Sequence, residues 1–545
     1  MPVKKSYKNI LWGYAFLLLV LAYIFGLFID LTGDSGLYAA IARQMVESHD
    51  WLTLKINKEL YDQKPHLLFW LAGLGIKIFG NTNFAFKIFP TLWALAGVYF
   101  TYRLGKLLYS KTAGKYAALI AGTSQVFVLY LLDIHTDTVL QTGVILALWQ
   151  LTAFLKSGTP IHFFWGFVGV GLAMLAKGPV GAVIPFFMVF IYLIARKDYR
   201  HIFHPKWFFG IIIAFIVVSP SLVHLYKSFG TEGIRFFFIT NNFGRISGEY
   251  AGSSNDPFFY LYNSLWIFLP WTVFVVFAVF SEIKSWFSKK KSDVWGIALL
   301  GSVLIFTVIL SIAKGKSPNY FLMAVFPIAV LTGRWMAQNV SSSTKTEKSV
   351  QGFQWAVIGI ILLVFGLALF INQGNNGWLP IALILFFLIA VIFAFRFQNK
   401  KSLRVILVSF VLAGTLSLFL NVSVIPHLYD YQGARQVVRI YQQNRNENDK
   451  LYNFDLEEYE LFFMAKDSVG NIDTWEKLFE VLERPGSWVY TNSTKFEEIS
   501  HLEYKTDTAF VIRQHGMNHL NGRFLNPATR ESNLKTNYLI RISGK

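Results

Sequence analysis

A polytopic α-helical membrane protein of about 13 transmembrane helices, with outer-face amphipathic helices and a small C-terminal α/β soluble domain, is the fold class this 545-residue chain predicts. Three observations carry it. Apolar runs of eighteen or more residues recur through the first 425 positions, each long enough to cross a bilayer as a helix. Charged residues make up only 15% of the chain, against roughly 25% in ordinary soluble domains. From position 426 the composition turns ordinary, with strand-like and helix-like segments of soluble length.

The charge distribution refines this picture. The chain carries +18, a balance that in a soluble protein points to nucleic acid. From Pro426 onward there are 15 Lys/Arg against 17 Asp/Glu, a net of −2, which leaves +20 on the part before it. Basic residues beside apolar spans are a topology signal rather than a nucleic-acid footprint. With no cysteine, disulfides and thiolate chemistry are excluded, and a metal site has only O and N ligands to use.

Taken in order, the spans are expected near 8–31, 84–105, 116–132, 138–155, 161–176, 179–195, 207–226, 258–280, 293–313, 319–338, 351–371, 378–396 and 403–425. The first follows the basic start "MPVKKSYK" and has no small-residue cleavage site after it, so it is expected to remain as a membrane helix with a cytoplasmic N-terminus. The loops then predicted inside, such as "ARKDYRHIFHPK" and "SEIKSWFSKKKSD", are rich in Lys and Arg, as that orientation requires. Thirteen spans place 426–545 outside, as a domain distinct from the transmembrane module 1–425. In the domain, "KLYNFDL", "SWVYTNS", "TAFVIRQ" and "NYLIRIS" read as strands, and "DTWEKLFEVLE" and "TKFEEIS" as helices.

Two outside segments are long, 32–83 and 229–257. In "GDSGLYAAIARQM", Leu37, Ile41 and Met45 recur every four residues, which predicts a helix lying in the membrane surface. "KPHLLFWLAGLGIKIF" opens with Pro65, suited to a first helical turn, and is expected to form a second one.

Chemistry is expected at this outer face. Asp34 follows the first span, and Asp133 and Asp137 lie between the third and fourth. Carboxylates gathered at one face can hold a metal or deprotonate a hydroxyl; as single residues before helices they also suit capping. Lys64, Lys177, Arg235, Arg245, Lys314 and Lys316 are all predicted outside, where the positive-inside bias disfavours them. Several adjoin Gly or Pro, and a phosphate held among them explains the set better than snorkelling at helix ends. His66, His135 and His224 lack metal-ligand spacing, and no phosphate-cradling or dinucleotide loop is present.

These residues also carry a resemblance. "GDSGLYAAIARQMVESHDWLTLKINKELYDQKPHLLFWL" resembles the opening of the GT-C glycosyltransferases that use lipid-phosphate sugars, among them the aminoarabinose transferases and protein O-mannosyltransferases. "TDTVL", "AKGPVG", "NNFGRI" and "KGKSPNYFLMAVFPIAVLTG" are similar to later motifs of that family, and the likeness runs from about residue 8 to 335. The resemblance implies a sugar carried on a polyprenyl phosphate such as undecaprenyl phosphate. It also implies transfer at the outer, periplasmic face of a bacterial inner membrane to an acceptor of lipid A, glycan or protein type. It implies catalytic roles for Asp34 and Asp137, and substrate binding by Lys64, Tyr38, Tyr61, Lys177, Arg245, Lys316 and Tyr320. Ser35 stands where the family has a Glu, Gln63 where the aminoarabinose branch has another, and "SGEYAGSSNDP" lacks that branch's His. The lost Glu and His positions can hold a metal in the aminoarabinose branch, so no cofactor is certain and a divalent metal stays open. Protein O-glycosylation is the alternative within the family. A lipid-linked sugar flippase is the alternative outside it, although such a transporter is expected to show ionisable residues within its spans and symmetric halves.

Overall fold

The computed structural model describes residues 2–57, 59–248, 254–288, 293–340, 344–373, 377–465, 467–502, 505–517 and 520–544, without the side chains of 2–9, 243, 245, 505–507 and 544. Among them, nine helices are long and apolar enough to cross a membrane, from Asn83–Leu108 to Lys401–Tyr429. A tenth candidate, Lys111–Thr123 with Gln125–Leu132, bends by 48° at Ser124. The other three expected spans, 8–31, 179–195 and 258–280, do not stand among these ten. The first lies on helix Pro2–Gly26, which has 25 residues; Pro179–Ala195 opens with a 3-10 turn at Pro179–Ala182; and the segment expected at 258–280 divides into Phe259–Ile267 and Thr272–Trp286. The break spans Phe268–Trp271 and includes Pro270, which has no N–H to continue a helical ladder.

Helices Thr136–Ser157 and Pro318–Asn339 are among the most enclosed of the spans, each about 83% buried, with Lys401–Tyr429 at about 89%. They form the centre of the bundle, and the residues at their outer ends therefore belong to a fixed frame. Small residues bring the neighbouring helices close: a Cβ on Gly143 would sit 2.6 Å from the backbone of Ala173 on helix Pro160–Lys177.

The outer segment 32–83 departs from the expected surface helices. Helix Gly33–Glu47 does form, with Thr32 as its N-cap, but it is buried on most sides rather than lying amphipathically in a membrane plane. It packs between helix Leu67–Phe79 and a short helix Glu460–Met464 from the far end of the chain. Its small residues permit this: a Cβ on Gly36 would approach the Glu460 side chain to 2.6 Å. A short hairpin, Lys55–Ile56 against Glu59–Leu60, joins the two outer helices.

After residue 449 the chain builds a five-stranded sheet. Its order is Gly470–Ile472, Lys450–Phe454, Ser487–Asn492, Lys535–Gly544 and Lys505–Gln514. The first three are mutually parallel and the last two run antiparallel. All four strands expected from the sequence are present. Gly470–Ile472 was not among them, being three residues without an alternating apolar pattern. Helices Trp475–Leu482 and Ser493–Ser500 match the two expected ones.

Candidate functional site

A cavity of about 570 Å³ opens where one end of the spans meets the 32–83 segment. It is lined by Asp34, Tyr38, Tyr61, Lys64, Asp137, Lys177 and Tyr320, seven of the nine residues singled out from the sequence. The other two are placed differently. The Arg245 side chain lies outside the described residues. Lys316 does not line the cavity: its ammonium donates to the carbonyls of Leu310, Ser311 and Ala313 at 3.5, 2.7 and 2.5 Å. A cation on the last carbonyls of helix Val294–Ile312 satisfies orphan acceptors and complements the helix dipole, so Lys316 caps that helix in this structure.

Asp34 and Asp137 both sit in the first turn of a helix, next to the N-caps Thr32 and His135 rather than as caps themselves. Their surroundings then diverge. The Asp34 side chain is 61% exposed, facing the cavity; the Tyr38 hydroxyl donates to it at 3.4 Å, and His135 Nδ1 lies 3.8 Å away without a hydrogen bond. Asp137 is buried, and both of its oxygens receive the Lys177 ammonium, at 2.7 and 2.6 Å. Asn319 Nδ2 adds a donor at 2.9 Å. Both oxygens of Asp137 are thus engaged, and the pair holds Lys177 in place at the cavity. An ammonium has three N–H donors, and the two given to Asp137 leave one for the cavity. Tyr320 shelters the same ammonium, its ring centroid 3.9 Å away.

His135 joins the acidic residues. Its Nε2 meets Asp133 at 3.0 Å while Nδ1 faces Asp34. Burial alone lowers its pKa, but Asp133 and then Asp34 and Asp137 outweigh burial and hold the imidazole above its ordinary value. Burial likewise works to raise Asp133, yet the His135 contact and a hydrogen bond from Ser35 keep that carboxyl below its usual range. Ser35, at the position where the resembled family has a Glu, therefore supports Asp133 instead of supplying a second carboxylate.

The loop bearing Tyr61 and Lys64 is tied to the span Lys206–Arg235 by two histidines. His66 accepts from the Ser221 hydroxyl at 2.7 Å and donates to the Leu52 carbonyl at 2.7 Å, and His224 donates to the Tyr61 carbonyl at 2.9 Å. Burial lowers the His66 pKa to about 4, so the ring stays neutral and serves as a latch. Among the described residues no group of three or more His, Asp or Glu is placed to hold a metal.

Reading residues singly missed Asn319, although it directly precedes Tyr320 in "KGKSPNY". It also missed Tyr459, which reaches the cavity from the C-terminal part of the chain. Lys87 was overlooked too: fully buried, it donates to the carbonyls of Gly26 and Ile29 at 3.2 and 2.7 Å and so terminates the first helix. Beneath Lys177, an apolar cavity of about 430 Å³ runs between the spans, with Met174, Val170 and Phe167 of helix Pro160–Lys177 along its wall.

Comparisons with known proteins agree with this geometry. The profile of the dolichyl-phosphate-mannose-protein mannosyltransferase family matches residues 63–224. An uncharacterised protein of Aquifex aeolicus is 27% identical over 356 residues, covering 65% of this chain and 69% of that one. The undecaprenyl phosphate-alpha-4-amino-4-deoxy-L-arabinose arabinosyl transferase of Wigglesworthia glossinidia brevipalpis is 25% identical, covering 61% of this chain; the match spans 59% of that relative's length. The crystal structure of ArnT from Cupriavidus metallidurans, bound to undecaprenyl phosphate, superposes with a TM-score of 0.76 over 98% of both chains at 16% identity. That likeness establishes a shared fold over essentially the whole chain.

Proposed function

We propose that this chain, which belongs to the GT-C family of aminoarabinose-transferase-like and protein O-mannosyltransferase-like membrane proteins, is a glycosyltransferase that moves a single sugar from a polyprenyl phosphate to an envelope acceptor. One observation carries the reading. An accessible carboxylate, Asp34, and two cationic side chains, Lys64 and Lys177, share one polar cavity at the outer ends of the spans. A transporter would carry its ionisable groups within the spans, along a path through the bilayer.

The chemistry follows from these groups. An acceptor oxygen attacks the anomeric carbon, the bond from that carbon to the phosphate oxygen breaks, and the electron pair leaves on the polyprenyl phosphate. Lys64 and the remaining N–H of Lys177 stabilise the charge that develops there, in a site partly screened from water. Asp34 takes the acceptor proton as general base. Asp137 and Asn319 position Lys177, and Tyr38 orients Asp34. The apolar cavity below Lys177 offers room for the start of the polyprenyl tail.

The reading places 1–425 as a transmembrane catalytic module in a bacterial inner membrane, with a cytoplasmic N-terminus, and 426–545 as a periplasmic domain. Undecaprenyl phosphate is the carrier it favours, since the named relatives use it. The test is sugar release from radiolabelled polyprenyl-phosphate sugars by purified protein, with native lipid, glycan and protein fractions as separate acceptors. Transfer by wild type that Asp34→Asn and Lys64→Ala both lose is the expected result. Binding or translocation of such lipids without any cleavage would overturn it and favour a flippase. A label found only in protein would select the protein O-glycosyltransferase alternative.

A further inference from the structure

The site described so far accounts for the donor but leaves the acceptor without a seat. Next to the Asp34 cavity lies a second polar cavity of about 400 Å³, within the range of roughly 300–1,000 Å³ of small-molecule sites. Its two walls come from opposite ends of the chain. One is the outward side of helix Gly33–Glu47, with Arg43 and Gln44; the other is the C-terminal domain, with Phe462, Ser468, Asn471 and Lys477. Ile56 and Glu59 of the short hairpin line both cavities, so the hairpin is the sill between them. Tyr459 faces the Asp34 cavity and Phe462, three residues on, faces the second one.

The wall is fixed rather than loosely apposed. Arg43 donates to the carbonyls of Phe462 and Phe463 at 3.1 and 3.3 Å, and to that of Ala465, collecting the last carbonyls of helix Glu460–Met464. Asn81 donates to Phe463 O at 2.8 Å. The Glu460 carboxylate accepts from the backbone N–H of Gly33 at 2.5 Å, one residue before Asp34. The domain thus reaches the base's own helix with a buried side chain.

The chemistry of the lining selects the ligand. Its cations are matched by carboxylates: Arg43 pairs with Glu47 at 2.6 Å and Lys477 with Asp473 at 2.6 Å. Glu59 adds a further negative charge, so the cavity has no cationic excess to hold a phosphate. What it offers instead are amides, a hydroxyl and paired charges around one aromatic ring, Phe462, a set that suits the hydroxyls and the apolar face of a sugar.

We infer that this cleft between helix Gly33–Glu47 and the C-terminal domain is the acceptor subsite, and that it binds an uncharged, hydroxyl-bearing sugar of about disaccharide size. Its bound end reaches Asp34 over the 55–60 hairpin. The inference rests on the glycosyltransferase reading, and it gives the C-terminal domain a direct part in acceptor choice.

The test uses the full-length protein in lipid nanodiscs and the disaccharide of N-acetylglucosamine as probe, followed by calorimetry and saturation-transfer NMR. Wild type should bind it, and Ser468→Trp, which puts an indole across the mouth from an exposed position, should weaken binding at least tenfold. The pair Gln44→Ala with Lys477→Ala should do the same without adding bulk. Asp34→Asn should bind like wild type. N-acetylglucosamine 1-phosphate should bind no more tightly than the uncharged sugar. Absence of binding to wild type, indifference to both cleft variants, or a clear preference for the phosphate would each overturn the subsite. Donor cleavage is scored separately on the same preparation. Cleft-dependent sugar binding without donor cleavage would sink the transferase reading while leaving the sugar site standing.

Discussion

The Lys177–Asp137 pair allows structure and catalysis to be separated. Asp137 is 2% exposed, and its two oxygens depend on one ammonium and one amide. Lys177→Met removes the ammonium and leaves a buried carboxylate with Asn319 alone, a change that costs on the order of 3–5 kcal/mol when a buried pair loses one partner. It also removes a donor aimed at the leaving phosphate, for which a loss of about 10²–10³ in kcat is expected. The double variant Lys177→Met with Asp137→Asn replaces the ion pair by neutral groups of similar shape. It should regain most of the stability, because no unpaired charge remains, but none of the rate. The assays are thermal unfolding of the detergent-solubilised chain and sugar transfer from a radiolabelled polyprenyl-phosphate donor. If the double variant transfers sugar within tenfold of wild type, Lys177 does no more than neutralise Asp137, and the donor-phosphate role assigned to it is wrong.

The remaining predictions use the same two assays. Asp34→Asn should lower transfer by about 10²–10⁴ with little change in unfolding temperature, because the carboxylate is exposed and is a base rather than a strut. Lys316→Met should do the reverse, costing roughly 1.5–3 kcal/mol of stability from its lost charged hydrogen bonds while leaving the donor KM near wild type. His135 has a raised pKa, so its stabilising contribution is complete below the ordinary imidazole value of about 6.5 and fades as pH rises through the folded value. Asp133 has a lowered one, and its contribution is present above about 3.9 and fades as pH falls through its folded value. Wild type should therefore lose stability relative to His135→Gln as pH rises above about 6.5; parallel curves would remove the pair from the account. Burial and the neighbouring Glu460 raise Glu458 to about 8, so the folded chain holds a proton there that the unfolded chain releases near pH 4.3. Stability contributed by that proton is lost as pH rises from about 4.3 to about 8, and Glu458→Gln should flatten the decline over that range.

What the sequence made legible was whatever is encoded locally. Spans appear as apolar length, the outer strands as short alternating runs, and Asp34, Lys64, Lys177 and Tyr320 as charged or aromatic residues beside helix breakers at one predicted face. Two kinds of feature escaped. Lys316 looked identical to Lys177, since both lie beside Gly near a span end; only the fold shows one ammonium turned into its own helix terminus and the other toward Asp137. Hydropathy likewise does not register the break at Phe268–Trp271 within the apolar stretch 258–280.

The second kind is the long-range contact. Helix Gly33–Glu47 reads as a surface helix because Leu37, Ile41 and Met45 form a stripe, yet the informative residues are the small and polar ones opposite. Gly36 admits Glu460, and Arg43 collects the carbonyls that end helix Glu460–Met464. An arginine on such a helix ordinarily reads as a solvated face, and it is buried here because a domain more than 400 residues away in sequence needs its guanidinium. A buried polar group without its partner is costly, so Arg43 and the 462–465 carbonyls must stay together whenever the domain is folded. That requirement places Tyr459 at the Asp34 cavity in every folded molecule, and with it a wall of the site that the membrane module alone does not supply.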